Sequence, residues 1–326
     1  MRPDSSVLLL TTLIGVGQGF FLALFTVQLY ALFGLLSPQD GHTFYAHGSL
    51  ISLAFLVAGL VASFFHLGRP ARAWRSAAMW RTSWLSREVI VLPAFMAIVF
   101  AFGAAHFVEF RPVLATLPSG IAIDSTVVLG VLGTVLAFAL FVCTAMIYSF
   151  LPFLREWASP LTVINYILLG GASGFTFAAA FAAWIASDLT RFFAGWALVI
   201  TLLGFASRVA SLIRNARLKP KSTLQTAIGI KHPRIAQKAM GFMGGSFNTR
   251  EFMHGKSNVV LQSVKWVFLA AGFALPVLLL AATLAGAPSG LLTLAFVVQY
   301  VGLLAERWFF FAQANHPQNL YYQAVA

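Results

Sequence analysis

Cysteine is all but absent from this chain: Cys143 is the only one in 326 residues, and it falls in the middle of a long apolar run. That excludes an internal disulfide, a cysteine-ligated iron–sulfur cluster and a thiolate zinc site within this chain. Charge is scarce as well, at 9% of residues, and acidic charge is scarcest, with 9 Asp and Glu against 21 Lys and Arg. No Walker loop, no GxGxxG between a strand and a helix, no HExxH and no multi-histidine box occurs. Group-transfer chemistry by this chain alone therefore has no visible equipment, and no metal site is expected.

What the chain has instead is apolar length. Hydrophobic residues make up 60% of it and its mean hydropathy is +0.85. Apolar runs of about 20 residues recur, the length that matches the hydrocarbon core of a bilayer. Eight spans are expected, over 7–36, 48–65, 89–107, 126–148, 163–185, 193–212, 266–284 and 291–311. Unbroken runs with internal glycine favour helices over a transmembrane barrel, whose strands alternate with period two. The first run is too long for the apolar region of a cleaved signal and reads as a retained span. The expected fold is all-α, a polytopic integral membrane bundle of eight transmembrane helices. It forms one domain over 1–326, with a basic extramembrane loop at 213–262.

Eight crossings put both termini and the connections after spans two, four and six on one face. Of the 21 Lys and Arg residues, 19 fall there; only Arg111 and Arg191 fall opposite, beside Asp40, Glu109, Asp124 and Asp188. The positive-inside rule makes the basic face cytoplasmic, with both termini and the basic loops inside. The net charge of +12 follows from this bias. It does not call for nucleic acid, which would want an extramembrane domain interleaving basic and aromatic residues. The long hydrophilic stretch from Arg214 to about Asn258 is too short and too Gly-rich to build its own core. It reads either as a solvated loop that sets topology or as a docking surface for a partner or for anionic lipid headgroups. Phe242, Met243, Phe247, Phe252 and Met253 among its charges favour a protein partner. The tail adds His316, Tyr321 and Tyr322 on the same face, where aromatic residues commonly anchor at the interface.

Charge at the edge of hydrocarbon is costly and is usually kept for a function. The segment HLGRPARAWRSAAMWRTSWLSRE sets His66, Arg69, Arg72, Arg75, Arg81, Arg87 and Glu88 between two apolar spans. His66 ends the second span and Glu88 opens the third, so a short re-entrant loop would let them face one another, with Arg81 or Arg87 opposing the carboxylate. Histidine titrates near neutrality, and the pair suits proton exchange with a quinone, whose ring oxygens gain or lose protons as electrons move while its tail stays in lipid. The same spacing also fits an interfacial salt-bridge cluster that only anchors the hairpin. Gln18, within the first span, is able to hydrogen-bond a carbonyl oxygen or another helix. Glu306 and Arg307, near the inner end of the last span, most simply neutralise each other or pair with the arginines. His47 and His106 sit at the outer ends of adjacent spans, where a bis-histidine haem is the alternative to ordinary interfacial histidines. A secondary transporter is a further alternative, although its polar groups would gather near mid-membrane rather than at one interface.

HLGRPARA from His66 to Ala73, closing on LSRE from Leu85 to Glu88, resembles the signature of membrane-anchor subunits of the dimethyl sulfoxide reductase type. The number and order of spans agree, so the resemblance covers the whole chain. Two further stretches, PKSTLQTAIGIKHPRIAQKAMGFMGGSFNTREFMHG and AERWFFFAQANHPQNLYY, look most like the branch that anchors cytoplasmic sulfite dehydrogenase. The resemblance implies a complex of a molybdopterin catalytic subunit, an iron–sulfur subunit and this anchor. Its partners would dock on the basic face at a bacterial inner membrane, and the anchor would exchange electrons with ubiquinone or menaquinone. It implies quinone binding and proton transfer at His66 and Glu88, with Gln18 in the same region. Arg69, Arg72, Arg75, Arg81 and Arg87 remain as pocket or partner contacts. Arg69 after the motif glycine, the last span and the long basic loop depart from the reductase members. These departures leave the anchor of an S- or N-oxide reductase that oxidises quinol as the alternative.

Overall fold

A computed structural model describes residues 3–219, 223–238 and 258–321. Phe242, Met243, Phe247, Phe252, Met253 and Tyr322 lie outside the described residues. Among the described residues, eight helical segments are long and apolar enough to cross a membrane. The helices are α1 (Ser5–Leu32), α2 (His47–Phe64), α3 (Trp84–Phe107), α4 (Ser125–Ser149), α5 (Pro160–Ile185), α6 (Thr190–Ala216), the short α7 (Leu224–Ile228), α8 (Asn258–Leu269), α9 (Leu275–Leu284) and α10 (Leu291–Ala312). A π-helical turn, Gly41–Ala46, leads into α2, and another, Ala270–Ala274, joins α8 to α9 as the seventh crossing.

Helix starts follow local chemistry. Asp4, Ser83, Asp124 and Ser159 each accept a hydrogen bond from a backbone N–H in the first turn of α1, α3, α4 and α5, satisfying donors that have no helical partner. Pro160 opens α5 where its missing N–H costs nothing. Several boundaries differ from the apolar pattern, α1 ending at Leu32 and α3 beginning at Trp84 among them. The sixth helix runs on to Ala216, and the seventh crossing begins at Asn258, about two turns before the apolar run. Polar side chains such as Gln262 and Lys265 end the apolar run without breaking the helix. The connection between α3 and α4 also holds a small antiparallel hairpin, β1 (Val113–Thr116) and β2 (Ala122–Asp124), turning at Gly120 with φ 82°.

The crossings form two four-helix sets. In one, α1, α2, α3 and α4 pack in a ring, with α4 returning to α1; in the other, α5, α6, α9 and α10 do the same, with α10 returning to α5. The α1–α5 contact joins them, and these two helices are the most enclosed of the eight. They cross on glycine: a Cβ on Gly19 would collide with the Gly170 carbonyl, and one on Gly174 with the backbone of Gly19. Lipid tails are as apolar as leucine, so helices associate in a bilayer through close packing and interhelical hydrogen bonds. Phe20 meets Phe177 edge-on at 4.8 Å, Phe21 meets Phe95 at 5.5 Å, and Ser52 Oγ donates to the Gly17 carbonyl at 2.8 Å.

Candidate functional site

Glu88 lies one turn into α3, after the Ser83 cap, and is buried. Its Oε1 accepts a hydrogen bond from Thr144 Oγ1 of α4 at 2.5 Å. Around it α1 contributes Thr11, Thr12 and Gln18, α5 contributes Tyr166 and Ser173, and α10 contributes Arg307, all lining one cavity. Gln18 is buried and its Nε2 donates to the Ala137 carbonyl at 2.8 Å, tying α1 to α4. The enclosed space is about 20 Å³, room for one water-sized body rather than a ring.

His66 does not face Glu88. It is exposed, and its Nδ1 lies 3.1 Å from Ser6 Oγ at the start of α1. Ser6 in turn donates from both its hydroxyl, at 2.6 Å, and its backbone N–H, at 2.8 Å, to Asp4 Oδ1. These bonds, first from the hydroxyl and then from the backbone, hold the Asp4 carboxyl below its ordinary value of 3.8. The expected re-entrant loop is instead a 3₁₀ segment, Pro70–Met79, with no buried residue. A stretch carrying Arg72 and Arg75 in its interior has nothing to offset the cost of entering hydrocarbon.

The arginines stay outside the cavity too. Arg69, Arg72, Arg75 and Arg81 are exposed, and none of the five forms an ion pair among the described residues. Arg87 donates to the carbonyls of Trp80 and Arg81, at 2.9 and 2.8 Å, and therefore turns away from Glu88. Three of the five stack on tryptophan, Arg75 over Trp74 at 5.5 Å, Arg81 over Trp80 at 5.4 Å and Arg87 over Trp84 at 4.1 Å. Amphipathic pairs of this kind suit a membrane–water boundary.

A second polar centre lies between α6 and α10. Arg208 Nε of α6 is 2.7 Å from Glu306 Oε1 of α10, and Arg307 Nη1 is 3.6 Å from Oε2 of the same carboxylate. The pairing expected of Glu306 and Arg307 is present, but the closer partner of the carboxylate is Arg208, which the charge count assigns to the basic face. The Arg307 guanidinium also stacks 3.6 Å over the Tyr166 ring, next to the Glu88 cavity. On the opposite face His106 is buried and stacked on Tyr45 at 4.4 Å, whereas His47 is exposed and its Nδ1 lies 2.7 Å from the His42 carbonyl. The two imidazoles do not share one pocket: His47 lines a cleft with Phe107, and His106 lines another with Arg111.

Residues 2–313 match the family described as DMSO reductase anchor subunit (DmsC). The chain belongs to this family of membrane anchors. It is also 57% identical over 326 residues, 100% of either chain, to a sulfite dehydrogenase subunit of Allochromatium vinosum. In this anchor the structure brings two of the three expected site residues, Gln18 and Glu88, into one cavity and leaves His66 at the surface. Thr144, Tyr166 and Arg307 beside them, and Arg208 behind Arg307, are not among the expected site residues. A threonine or tyrosine inside a span carries no signal of its own, whereas Arg307 carries one as a charge within the last apolar run, and Arg208, near the end of the sixth, reads as the start of the basic face.

Proposed function

We propose that this chain anchors a sulfite-oxidising molybdopterin subunit and its iron–sulfur subunit to the basic, cytoplasmic face of a bacterial inner membrane. There it passes their electrons to ubiquinone or menaquinone. The observation that carries the redox reading is the buried Glu88, hydrogen-bonded to Thr144 and sharing a cavity with Gln18, next to the arginine-rich segment. A carboxyl at that place is costly unless it is used. Identity of 57% over the full length to a sulfite dehydrogenase subunit supports the substrate of the complex.

The donors and acceptors of the cavity suit a carbonyl oxygen, but its volume admits only a water-sized body. The quinone ring is therefore assigned to the rim, with this cavity as its proton source. When bound, the quinone supplies the two-electron acceptor chemistry. Glu88 holds a proton on the oxygen that Thr144 does not engage, and releases it toward the rim. His66, on the connection between α2 and α3, meets Ser6 and Asp4 at the start of α1 and returns protons from the basic face. Electron tunnelling weakens steeply with distance, so a docked iron–sulfur partner and a rim site at the same end of the bundle suit one another.

Glu88→Gln in the intact complex tests this. Quinone-coupled sulfite turnover is expected to fall roughly 100-fold, the scale of a lost general acid, while artificial-acceptor activity and assembly persist. Equal loss of all three would assign Glu88 a structural role. A complex that reduced S-oxides with quinol and left sulfite untouched would overturn the substrate.

A further inference from the structure

Three ionisable side chains lie inside the second four-helix set, and their charges do not cancel. Arg208, Glu306 and Arg307 are all more than nine-tenths buried, at 2%, 1% and 5% exposure. Two guanidinium groups against one carboxylate leave one positive charge within membrane-spanning helices, an arrangement expensive enough to imply a use. Arg208 and Glu306 line a small polar cavity with Asn165 and Ser211, separate from that of Glu88. Arg208 Nη2 and Asn165 Oδ1 there have no hydrogen-bond partner among the described residues, a donor and an acceptor that an ordered water would satisfy. Arg307 reaches this cavity and the Glu88 cavity both. Tyr166, under its guanidinium, lies within electrostatic range of Glu88, Glu306 and Arg307 alike.

We propose that Arg307 is the counter-charge of the Glu88 cavity: aligned by Glu306 and Arg208, it stabilises the negative charge left on Glu88 whenever that carboxyl gives up its proton. This rests on the quinone reading above. Converting a quinone to a quinol consumes two electrons, from the iron–sulfur partner, and two protons. For the first of these the O–H bond of Glu88 breaks, the proton passes through the water-sized cavity and an O–H bond forms on a ring oxygen at the rim; the carboxylate is then reprotonated from the basic face and delivers the second proton by the same route. Arg307 exchanges no proton in the step. Among the described residues, no other cation lines the cavity from the elements packed around the carboxyl. The first helix presents Gln18, the fourth Thr144 with Cys143 and Tyr148 nearby, and the fifth Tyr166. Arg87, on the carboxyl's own helix, is turned onto Trp84.

The test is the pH profile of quinone-coupled turnover in the intact complex, with artificial-acceptor turnover as the assembly control. Arg307→Met removes the counter-charge and is expected to move the limb governed by Glu88 to higher pH. Glu306→Gln removes the opposing negative charge and is expected to move that limb to lower pH. Arg307→Lys keeps the charge and is expected to keep the native profile. Assembled variants with unshifted profiles would overturn the proposal, as would a lysine variant that behaves like methionine. Should Arg307→Met not assemble, the direction of the Glu306→Gln shift decides alone. If Glu88→Gln leaves quinone-coupled turnover intact, the quinone reading itself fails, whatever these profiles show.

Discussion

Asp4 uses one carboxylate oxygen twice, as the cap of α1 and as the partner of the Ser6 hydroxyl that meets His66. Because its folded value lies below the ordinary 3.8, the stabilisation is fully present above that ordinary value and is lost as pH falls through the folded one. Hydrogen exchange in the first turn of α1 is therefore expected to stay protected from neutral pH down to about 4 and to open below it. Asp4→Ala should open the same turn at neutral pH, at a cost of about 1 kcal/mol. Residues of this kind differ in how far their roles can be read from type. Glu88 and Gln18 stand out because a polar group inside an apolar run has few reasons to be there. His66 stands out equally, yet its partner Ser6 is 60 positions away in the chain, and no local spacing announces such a pair. Thr144 is indistinguishable from Thr134, which merely bonds its own helix at the Gly130 carbonyl.

Between elements, the deciding contact is the glycine crossing of α1 and α5. It predicts a sharp contrast among neighbouring glycines. Gly174→Ala forces a Cβ into the backbone of Gly19 and is expected to lower the unfolding temperature in detergent strongly or to prevent assembly. Gly171→Ala meets only Ile200 Cγ2, at an ordinary 3.5 Å, and is expected to be neutral or slightly stabilising through its better helix propensity. Eight crossings could be expected from composition because hydrocarbon thickness sets the length of an apolar run. Their ends could not, since α6 and α8 continue as helix beyond the hydrocarbon, where the apolar pattern has nothing more to report. The same blindness hid Arg208. A charge close to the end of an apolar run reads as the start of the basic face, whereas α6 carries on to Ala216 and keeps this side chain inside the bundle.

Taken whole, the bundle carries a pronounced asymmetry of charge, and the proposed orientation depends on it. Cys143 is buried, so a Cys143→Ser background offers a clean surface for single-cysteine labelling. Arg72→Cys is expected to react with an impermeant maleimide only in inverted vesicles, and Gly120→Cys, at the tip of the hairpin, only in intact cells. The reverse pattern would move the partner subunits to the other compartment. That the chain serves as the anchor of a larger complex was legible only through the resemblance carried by HLGRPARA and LSRE, because nothing in the span pattern itself points to partner subunits, and the direction of electron flow was not legible at all.

The three guanidinium–indole stacks between Trp74 and Arg87 have a mechanical consequence for the whole bundle. They draw a waterline. Indoles prefer the headgroup layer and resist both immersion and lifting, so this rim cannot bob when the surrounding lipids grow thicker or thinner. The mismatch must then be absorbed by tilt and by lipid deformation at the opposite leaflet, around the hairpin, leaving the rim at a constant height above the lipid midplane.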